Sequence, residues 1–353
     1  CCTVDRVLSL MQNQRQGLMC WPALCQAAIV FDEIHMYDRK LFGLLLRFLQ
    51  ECRGIPILLM TASLPEPQRT AILSALRHIN PGHRDEELLR EIPGPAELEQ
   101  LPRYHRIEAE SAEQLVHDEV VRGGRVLWVC NTVNRAMDAA ARLRDLGLEP
   151  MIYHSRFKYR HRVDQHNRVI AAFSPPESAA ADSTATGAVA VCTQVAEVSL
   201  DLKAATLLVT DLCPVPSLIQ RLGRLNRSAR PADPGHASPP TRPFLVIEPL
   251  DKSGDFYPFP YGMGADDYGE WPEQTREWLL RLGNGPLSQF DLAKEWQSDG
   301  MSSIPEVARC CWLDGGPGTQ VDAVRDASYG VTVLMEEDRQ TVVSGETRLA
   351  ELA

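Results

Sequence analysis

Apolar strands and amphipathic helices alternate along the first part of the chain. Gln26 to His35 begins with an apolar, β-branched run and ends in acids, which predicts a buried strand followed by an acidic loop. Residues 39 to 53 have helical spacing, Ile55 to Met60 form a second continuous apolar strand, and residues 65 to 79 predict a second helix. This alternation favours a parallel sheet with helices on its faces.

The same alternation starts again after a polar stretch, residues 80 to 105, that is rich in Pro and Gly and predicts a connection between two lobes. The predicted strands of the second lobe are RVLWVC, PMIYH, AVAVCTQVA, ATLLVTDL and FLVIEP. The predicted helices include NTVNRAMDAAARLRDLG and VPSLIQRLGRLNR. We therefore expect an α/β protein with lobes at residues 1–95 and 96–250 and a small accessory module at 251–353.

Composition adds limits to this picture. No apolar run reaches the length of a transmembrane helix, so no membrane association is expected. The ten cysteines form no CxxC pair, which favours thiols in a reducing cytoplasm over zinc ligands or disulfides. The amino terminus lacks a start methionine and a signal sequence, which suggests the interior of a longer protein.

The charge pattern is acidic overall and basic locally. The net charge is −11, which argues against binding polyanions over the whole surface. However, Arg156 to Arg162 and Arg221 to Arg230 are two stretches with several basic residues. Narrow basic grooves in an acidic protein remain compatible with nucleic-acid binding.

The first candidate chemical group is the acidic pair Asp32–Glu33 at the end of a predicted buried strand. The carboxyl edge of a parallel sheet is where α/β folds bind ligands. Phosphoryl transfer to water needs a metal ion on the phosphates and a group that orients the attacking water. We predict that Asp32 and Glu33 supply these functions with Mg²⁺; the alternative is two solvated acids at a strand end.

Small hydroxyl residues follow the next predicted strand, in Thr61–Ala62–Ser63. In a tight turn such hydroxyls can bond the backbone or the preceding acid–His pair, and so link the state of a nucleotide to the other lobe. Thr61, Ser63 and His35 are therefore candidate coupling residues. The alternative is an ordinary turn cap.

A basic helix is predicted over Gln220 to Arg227, with the sequence QRLGRLNR. Arg224 and Arg227 are three residues apart and would share one helical face. Two guanidiniums on one face can clamp the charge of a transferring phosphoryl group, as an arginine finger from a facing lobe does. A solvated basic face is the alternative.

The segment Thr193 to Asp201 follows another predicted strand. A hydroxyl and exposed amides at a strand end can hold a backbone phosphate of a nucleic acid. The acid at Asp201 could reach a ribose or a facing arginine. A strand that ends in a polar turn would give the same pattern.

Taken together and in this order, these groups resemble superfamily 2 DExH helicases. The finer resemblance is to the CRISPR-associated helicase of type I interference systems, the helicase half of its helicase–nuclease. It covers about residues 1 to 250. It rests on Thr3-Val4-Asp5, DEIHMYD, LMTASLP, NTVNRA, YHSRFKYRHR, TQVAEVSLDL and DLCPVPSLIQRLGRLNR.

This resemblance implies two tandem RecA-like lobes, the first incomplete at its amino terminus, that move along single-stranded DNA in antiviral defence. It implies ATP and Mg²⁺ as cofactors and a guide-RNA surveillance complex as partner. Asp32 and Glu33 match the metal and water positions, and His35, Thr61 and Ser63 the coupling positions. The nucleotide contacts would be Asp201, Gln220, Arg224 and Arg227, and the strand contacts Thr193, Thr3, Asn131, Thr132, Ser155 and Arg156.

Two features of the family that this chain resembles are missing from the sequence. No G-x-x-x-x-G-K-[ST] loop occurs to cradle phosphates with its amides and lysine. The one His–Asp dipeptide, His117–Asp118, lacks the surrounding ligands of a metal nuclease and predicts a surface pair. We therefore expect a fragment, inactive alone, or half of a split protein whose phosphate loop or nuclease is on a separate chain.

Two alternatives remain open from the sequence. The first is a DExH DNA or RNA helicase of another family. The second is a non-catalytic nucleic-acid-binding remnant or split subunit. Intact acids and arginines argue against a long-standing loss of ATP hydrolysis.

Overall fold

Two compact units make up the chain. The first contains residues 1–93 and 293–330, and the second contains residues 94–292 and 331–353. The structure, a computed structural model, describes residues 2–61, 64–174, 187–232, 239–262, 271–297 and 304–325.

The first unit packs helices against a short parallel sheet. Its elements are α1 (Val4–Leu8), α2 (Arg15–Leu24), β1 (Ile29–Phe31), a 3-10 turn (Ile34–Met36), α3 (Arg39–Glu51), β2 (Ile57–Leu59), α4 (Glu66–Ile79) and α5 (Asp85–Leu88). β1 and β2 pair in parallel, with Val30 opposite Leu58. Both of these side chains are exposed, whereas Ile29 and Phe31 are buried. Within the described residues this sheet therefore packs on one face.

α3 is the central helix of the first unit. Asp38 caps its amino terminus by accepting a hydrogen bond from the Leu41 amide at 2.8 Å, as expected for an N-cap carboxylate. The apolar face of α3 is buried, and Phe48 packs edge-to-face on Phe31 of β1 with ring centroids 5.5 Å apart. The predicted strand–helix–strand–helix order is present here.

The chain after residue 304 contributes to this first core. The amide of Ala308 donates to the Gly43 carbonyl at 3.0 Å, and the Trp312 indole donates to the Met11 carbonyl at 2.8 Å. Of the predicted accessory module, 251–353, the described residues up to 292 lie in the second unit, and those from 293 to 325 lie in the first.

The second unit is built around a six-stranded sheet. Its elements are α6 (Ala96–Glu99), β3 (Tyr104–Arg106), α7 (Ala112–Val121), β4 (Arg125–Val129), α8 (Val133–Asp145), β5 (Met151–Tyr153), α9 (Tyr159–Ala172), β6 (Ala188–Cys192), α10 (Val195–Ser199), β7 (Leu207–Asp211), α11 (Val215–Leu222), β8 (Arg242–Ile247) and α12 (Trp271–Leu282); α13 (Gln289–Gln297) spans the boundary between the units. The strand order is β3-β8-β7-β4-β6-β5, with parallel pairing at each step. The predicted α/β class with a parallel sheet is confirmed.

The central strands explain why this sheet forms. β7 is buried at each of its five positions, and β4 and β6 at four of five. Parallel strands covered by helices on both faces have continuous apolar sequences for this reason. β3, which the sequence placed inside the connecting segment, adds an edge strand.

Two predicted elements differ from the structure. The predicted strand AVAVCTQVA ends at Cys192, and Val195–Ser199 forms the short helix α10. The predicted helix over Gln220 to Arg227 is wrong beyond Leu222, because α11 ends there with Gly223 as its cap. Asn226 then adopts a left-handed backbone with φ of 52°.

Two global features concern the described part of the chain. None of its helices combines the length and the apolar character needed to cross a lipid bilayer. The cysteines there, among them the buried Cys130, Cys192 and Cys213, are free thiols.

Candidate nucleotide and nucleic-acid sites

The acidic pair Asp32–Glu33 lies directly after β1. Asp32 is exposed, and its carboxylate accepts a hydrogen bond from the Glu33 amide at 2.9 Å. Glu33 has a left-handed backbone with φ of 52° and a half-exposed side chain. Such a conformation is unfavourable for a residue other than Gly and concentrates at functional sites. Both carboxylates lie just after the carboxyl end of β1, where solvent reaches them.

His35 joins this loop to the segment after β2. Its side chain is 4% exposed, and Nδ1 lies 3.1 Å from the Thr61 hydroxyl and 3.5 Å from the Glu33 carboxylate. Burial lowers the pKa of His35 to about 4, although the nearby Asp32 carboxylate raises it. The imidazole is therefore neutral at pH 7. Ser63, the other predicted coupling residue, lies outside the described residues.

The donor set at this loop suits a hard cation. Magnesium is commonly bound through one or two carboxylates together with the phosphates of its substrate. Asp32 and Glu33 offer such oxygens in an accessible position. The described residues contain no cluster of three or more His, Cys, Asp or Glu that could hold a metal by itself.

Thr3 stands at the exposed N-cap position of α1. This helix is tied to the start of α3 by Arg325, a residue that sequence reasoning missed. The guanidinium of Arg325 binds the Asp5 carboxylate of α1 and lies 3.4 Å from Asp38, the cap of α3. The positions lie more than 280 residues apart in sequence, so no local pattern could have indicated this contact.

The carboxyl edge of the large sheet gathers most of the predicted strand contacts. Parallel register places Val129 of β4, Cys192 of β6 and Tyr153 of β5 at equivalent positions on adjacent strands. The residues that follow these strands therefore line one edge. They are Asn131 and Thr132 after β4, Ser155 and Arg156 after β5, and Thr193 after β6. The connection after β4 leads to β5 on one side of the sheet and the connection after β7 leads to β8 on the other, so the switch point, where open α/β sheets bind ligands, lies between β4 and β7.

These edge residues differ in how much of them solvent reaches. Ser155 and Arg156 are exposed, in a turn where His154 stacks on Phe157 with ring centroids 4.3 Å apart. Thr132 is half-buried and caps α8 by accepting a hydrogen bond from the Arg135 amide at 3.4 Å. Thr193 is 3% exposed. Ser155 and Arg156 are therefore the most accessible of the set.

Asn131 is corrected by the structure. It is 1% exposed, and its side-chain amide donates to the Leu212 carbonyl at 2.7 Å and accepts from Arg221 at 3.0 Å. Its backbone amide donates to Asp211, and its carbonyl accepts from Gln194. Its polar groups are thus committed to the interior of the unit, and the side chain is not a surface contact for a strand.

Arg224 and Arg227 lie in the turn beyond α11 rather than on a shared helical face. Arg224 donates to the Leu200 carbonyl at 3.0 Å and to the Glu197 carbonyl. Arg227 pairs with Asp201 at 3.3 Å, and both side chains are half-exposed. Gln220 is a partly buried residue of α11. The structure thus brings three of the predicted nucleotide contacts, Asp201, Arg224 and Arg227, to the loops around α10.

Sequence reasoning also missed Arg221, between the predicted contacts Gln220 and Arg224. Its side chain is fully buried and forms an ion pair with Glu197 at 2.8 Å. Asp211, also buried, holds Arg135 through two hydrogen bonds of 2.7 and 2.8 Å. An interior arginine inside a basic run is indistinguishable from a surface one by sequence, because both have the same composition and spacing.

The second unit, a six-stranded parallel sheet packed with helices, has the architecture of a RecA-like lobe. The chain belongs to the CRISPR-associated helicases of the Cas3 type. A model of the family "CRISPR-associated nuclease/helicase Cas3, C-terminal" matches residues 122–230. The predicted resemblance is confirmed.

Relatives support this membership along nearly the whole chain. A putative CRISPR-associated nuclease/helicase Cas3 of Myxococcus xanthus is 46% identical over 98% of the chain. The chain spans 42% of the length of that relative.

Solved structures show the same fold. A crystal structure of T. fusca Cas3 with AMPPNP matches with a TM-score of 0.63 at 21% identity, over 84% of this chain and 38% of that one. A chain of a CRISPR RNA-guided surveillance complex before nicking matches with a TM-score of 0.60 at 18% identity, over 89% of this chain and 42% of that one.

Proposed function

We propose that this chain is the part of a CRISPR-associated helicase that hydrolyses ATP and moves along single-stranded DNA. The observation that carries the proposal is the carboxyl edge of the six-stranded sheet, where register lines up Thr132, Ser155, Arg156 and Thr193. The exposed Ser155 hydroxyl and Arg156 guanidinium are donors for phosphate oxygens, and the half-buried Thr132 and the buried Thr193 lie on the same edge. Contacts of this kind hold a strand without reading its bases.

ATP and Mg²⁺ are the proposed cofactors. Asp32 and Glu33 would hold the metal, which supplies charge neutralisation on the phosphates when bound. Glu33 would orient water, while His35 and Thr61 would link this loop to the segment after β2, with Ser63 in the same role. Arg224 and Arg227 would stabilise charge on the phosphates, with Gln220 and Asp201 supporting them.

The guide-RNA surveillance complex is the proposed partner. The support is the likeness to a chain of such a complex and the family's association with CRISPR systems. Antiviral defence in the cytoplasm follows from that partner. Thr3 would add a strand contact from the first unit.

The test is ATP hydrolysis stimulated by single-stranded DNA. It compares this chain with the complete protein, meaning this chain together with the segments that correspond to the rest of its Myxococcus relative. Stimulated hydrolysis by the complete protein, with little or none by this chain, is the expected result. Strand binding without hydrolysis in both forms would replace the helicase proposal with a nucleic-acid-binding remnant or split subunit.

A further inference from the structure

Arg221 is the centre of a buried hydrogen-bond network in the second unit. A guanidinium has five N–H donors in a fixed planar arrangement. Here five acceptors surround it. Nε donates to Glu197 Oε1 at 2.8 Å, and Nη1 donates to the Thr210 hydroxyl at 2.8 Å and to the Asp211 carbonyl at 3.2 Å. Nη2 donates to Asn131 Oδ1 and to the Tyr261 hydroxyl, both at 3.0 Å. With its donors used in this way, Arg221 holds protein groups and is not a ligand-binding arginine.

Glu197 is shared between this network and Arg224. Its carboxylate, 3% exposed, pairs with Arg221, and its backbone carbonyl accepts a hydrogen bond from Arg224. The other terminal nitrogen of Arg224 donates to the Leu200 carbonyl. The guanidinium of Arg224 is therefore held by the last turn of α10, and the Glu197–Arg221 pair fixes that turn.

The other end of α10 is bound to the sheet edge. Gln194, directly before the helix, donates from its side chain to the Asn131 carbonyl at 2.6 Å. The Ala196 amide donates to the Thr193 carbonyl at 3.0 Å. α10 thus spans from the edge proposed to hold a DNA strand to the arginine proposed to contact phosphate.

We propose that Glu197 and Arg221 are positioning residues that hold the guanidinium of Arg224 at a fixed place relative to the carboxyl edge of the large sheet. This rests on the proposed function, in which Arg224 acts on ATP. A buried ion pair that is fully hydrogen-bonded makes a rigid connection, and removal of one partner leaves an uncompensated charge. If loss of the pair displaces α10, both acceptors of Arg224, the carbonyls of Glu197 and Leu200, move with the helix.

The experiment uses the complete protein with Glu197→Ala, Glu197→Gln and Arg224→Ala, singly and combined. ATP turnover is measured with saturating oligo-dT, together with KM for ATP and Kd for the oligonucleotide. Glu197→Ala is expected to lower kcat at least tenfold while KM and Kd change less than threefold. Glu197→Gln, which keeps an acceptor oxygen for Arg221, should lose less.

The double variants separate positioning from other roles. Since Glu197 acts through Arg224, Glu197→Ala with Arg224→Ala should be no slower than Arg224→Ala alone. Losses that multiply would overturn the proposal. If Glu197→Ala does not fold, the same comparison is made with Glu197→Gln.

A stability control is Leu143→Ala, which truncates a fully buried residue of α8 outside this network. Equal losses of turnover in Leu143→Ala and Glu197→Ala would show a general effect of destabilisation and overturn the positioning role. An Arg224→Ala variant with normal turnover would instead overturn the arginine assignment on which the proposal rests.

Discussion

Removal of Arg156 tests whether the carboxyl edge of the large sheet binds a DNA strand. Arg156 is exposed in the turn after β5, an edge strand that pairs with β6. Its matched control is Arg144, which is exposed in the last turn of α8. Because α8 starts at the carboxyl edge and leads back to the start of β5, Arg144 lies near the opposite edge of the same sheet. The two substitutions to Ala remove the same charge from opposite edges.

The size of the effect follows from counterion release. Each phosphate that a protein neutralises on a single strand contributes about 0.7 to the slope of log affinity against log salt. If Arg156 neutralises one phosphate, Arg156→Ala should reduce the slope by about 0.7. Between 50 and 200 mM salt, the parent protein should then lose roughly threefold more affinity than the variant.

The assay is fluorescence anisotropy of labelled oligo-dT titrated with each protein at four salt concentrations. Arg144→Ala should keep the slope of the parent, since a distant charge is largely screened beyond about 10 Å at 0.1 M salt. An unchanged slope in Arg156→Ala, or equal changes in both variants, would refute the assignment of this edge as the strand site.

Three further predictions concern other parts of the chain. Gly43→Ala should destabilise the protein in thermal unfolding although Ala favours helices, because its Cβ would lie 2.8 Å from the Glu306 carbonyl; an unchanged or raised Tm would contradict this packing. Thr132→Ala should cost about 0.5–1 kcal/mol in urea unfolding through loss of the α8 cap, whereas Thr132→Ser should restore stability; equal losses would exclude capping. Arg224→Ala should reduce ATP turnover of the complete protein by about 10³–10⁵; normal turnover would remove Arg224 from the site.

Much of the fold is predictable from the chain because its signals are local. β4, β6 and β7 are runs of apolar residues long enough to be buried on both faces, and the helices between them carry apolar residues at helical spacing. The short elements β3 and α10 were harder to predict from the sequence. β3 and α10 are stabilised by tertiary hydrogen bonds and packing, so their sequences differ little from those of loops.

The candidate sites likewise combine features that local sequence predicts with features that tertiary packing sets. By itself the sequence determined the acidic strand end at Asp32–Glu33 and the hydroxyl and basic residues after the strands of the second unit, because residue type and spacing carry that chemistry. Only the tertiary structure decided that Asn131 and Arg221 face the interior and that Arg224 is held by α10. Burial depends on which segments pack over a residue, and those segments, such as the one with Tyr261, are distant in sequence.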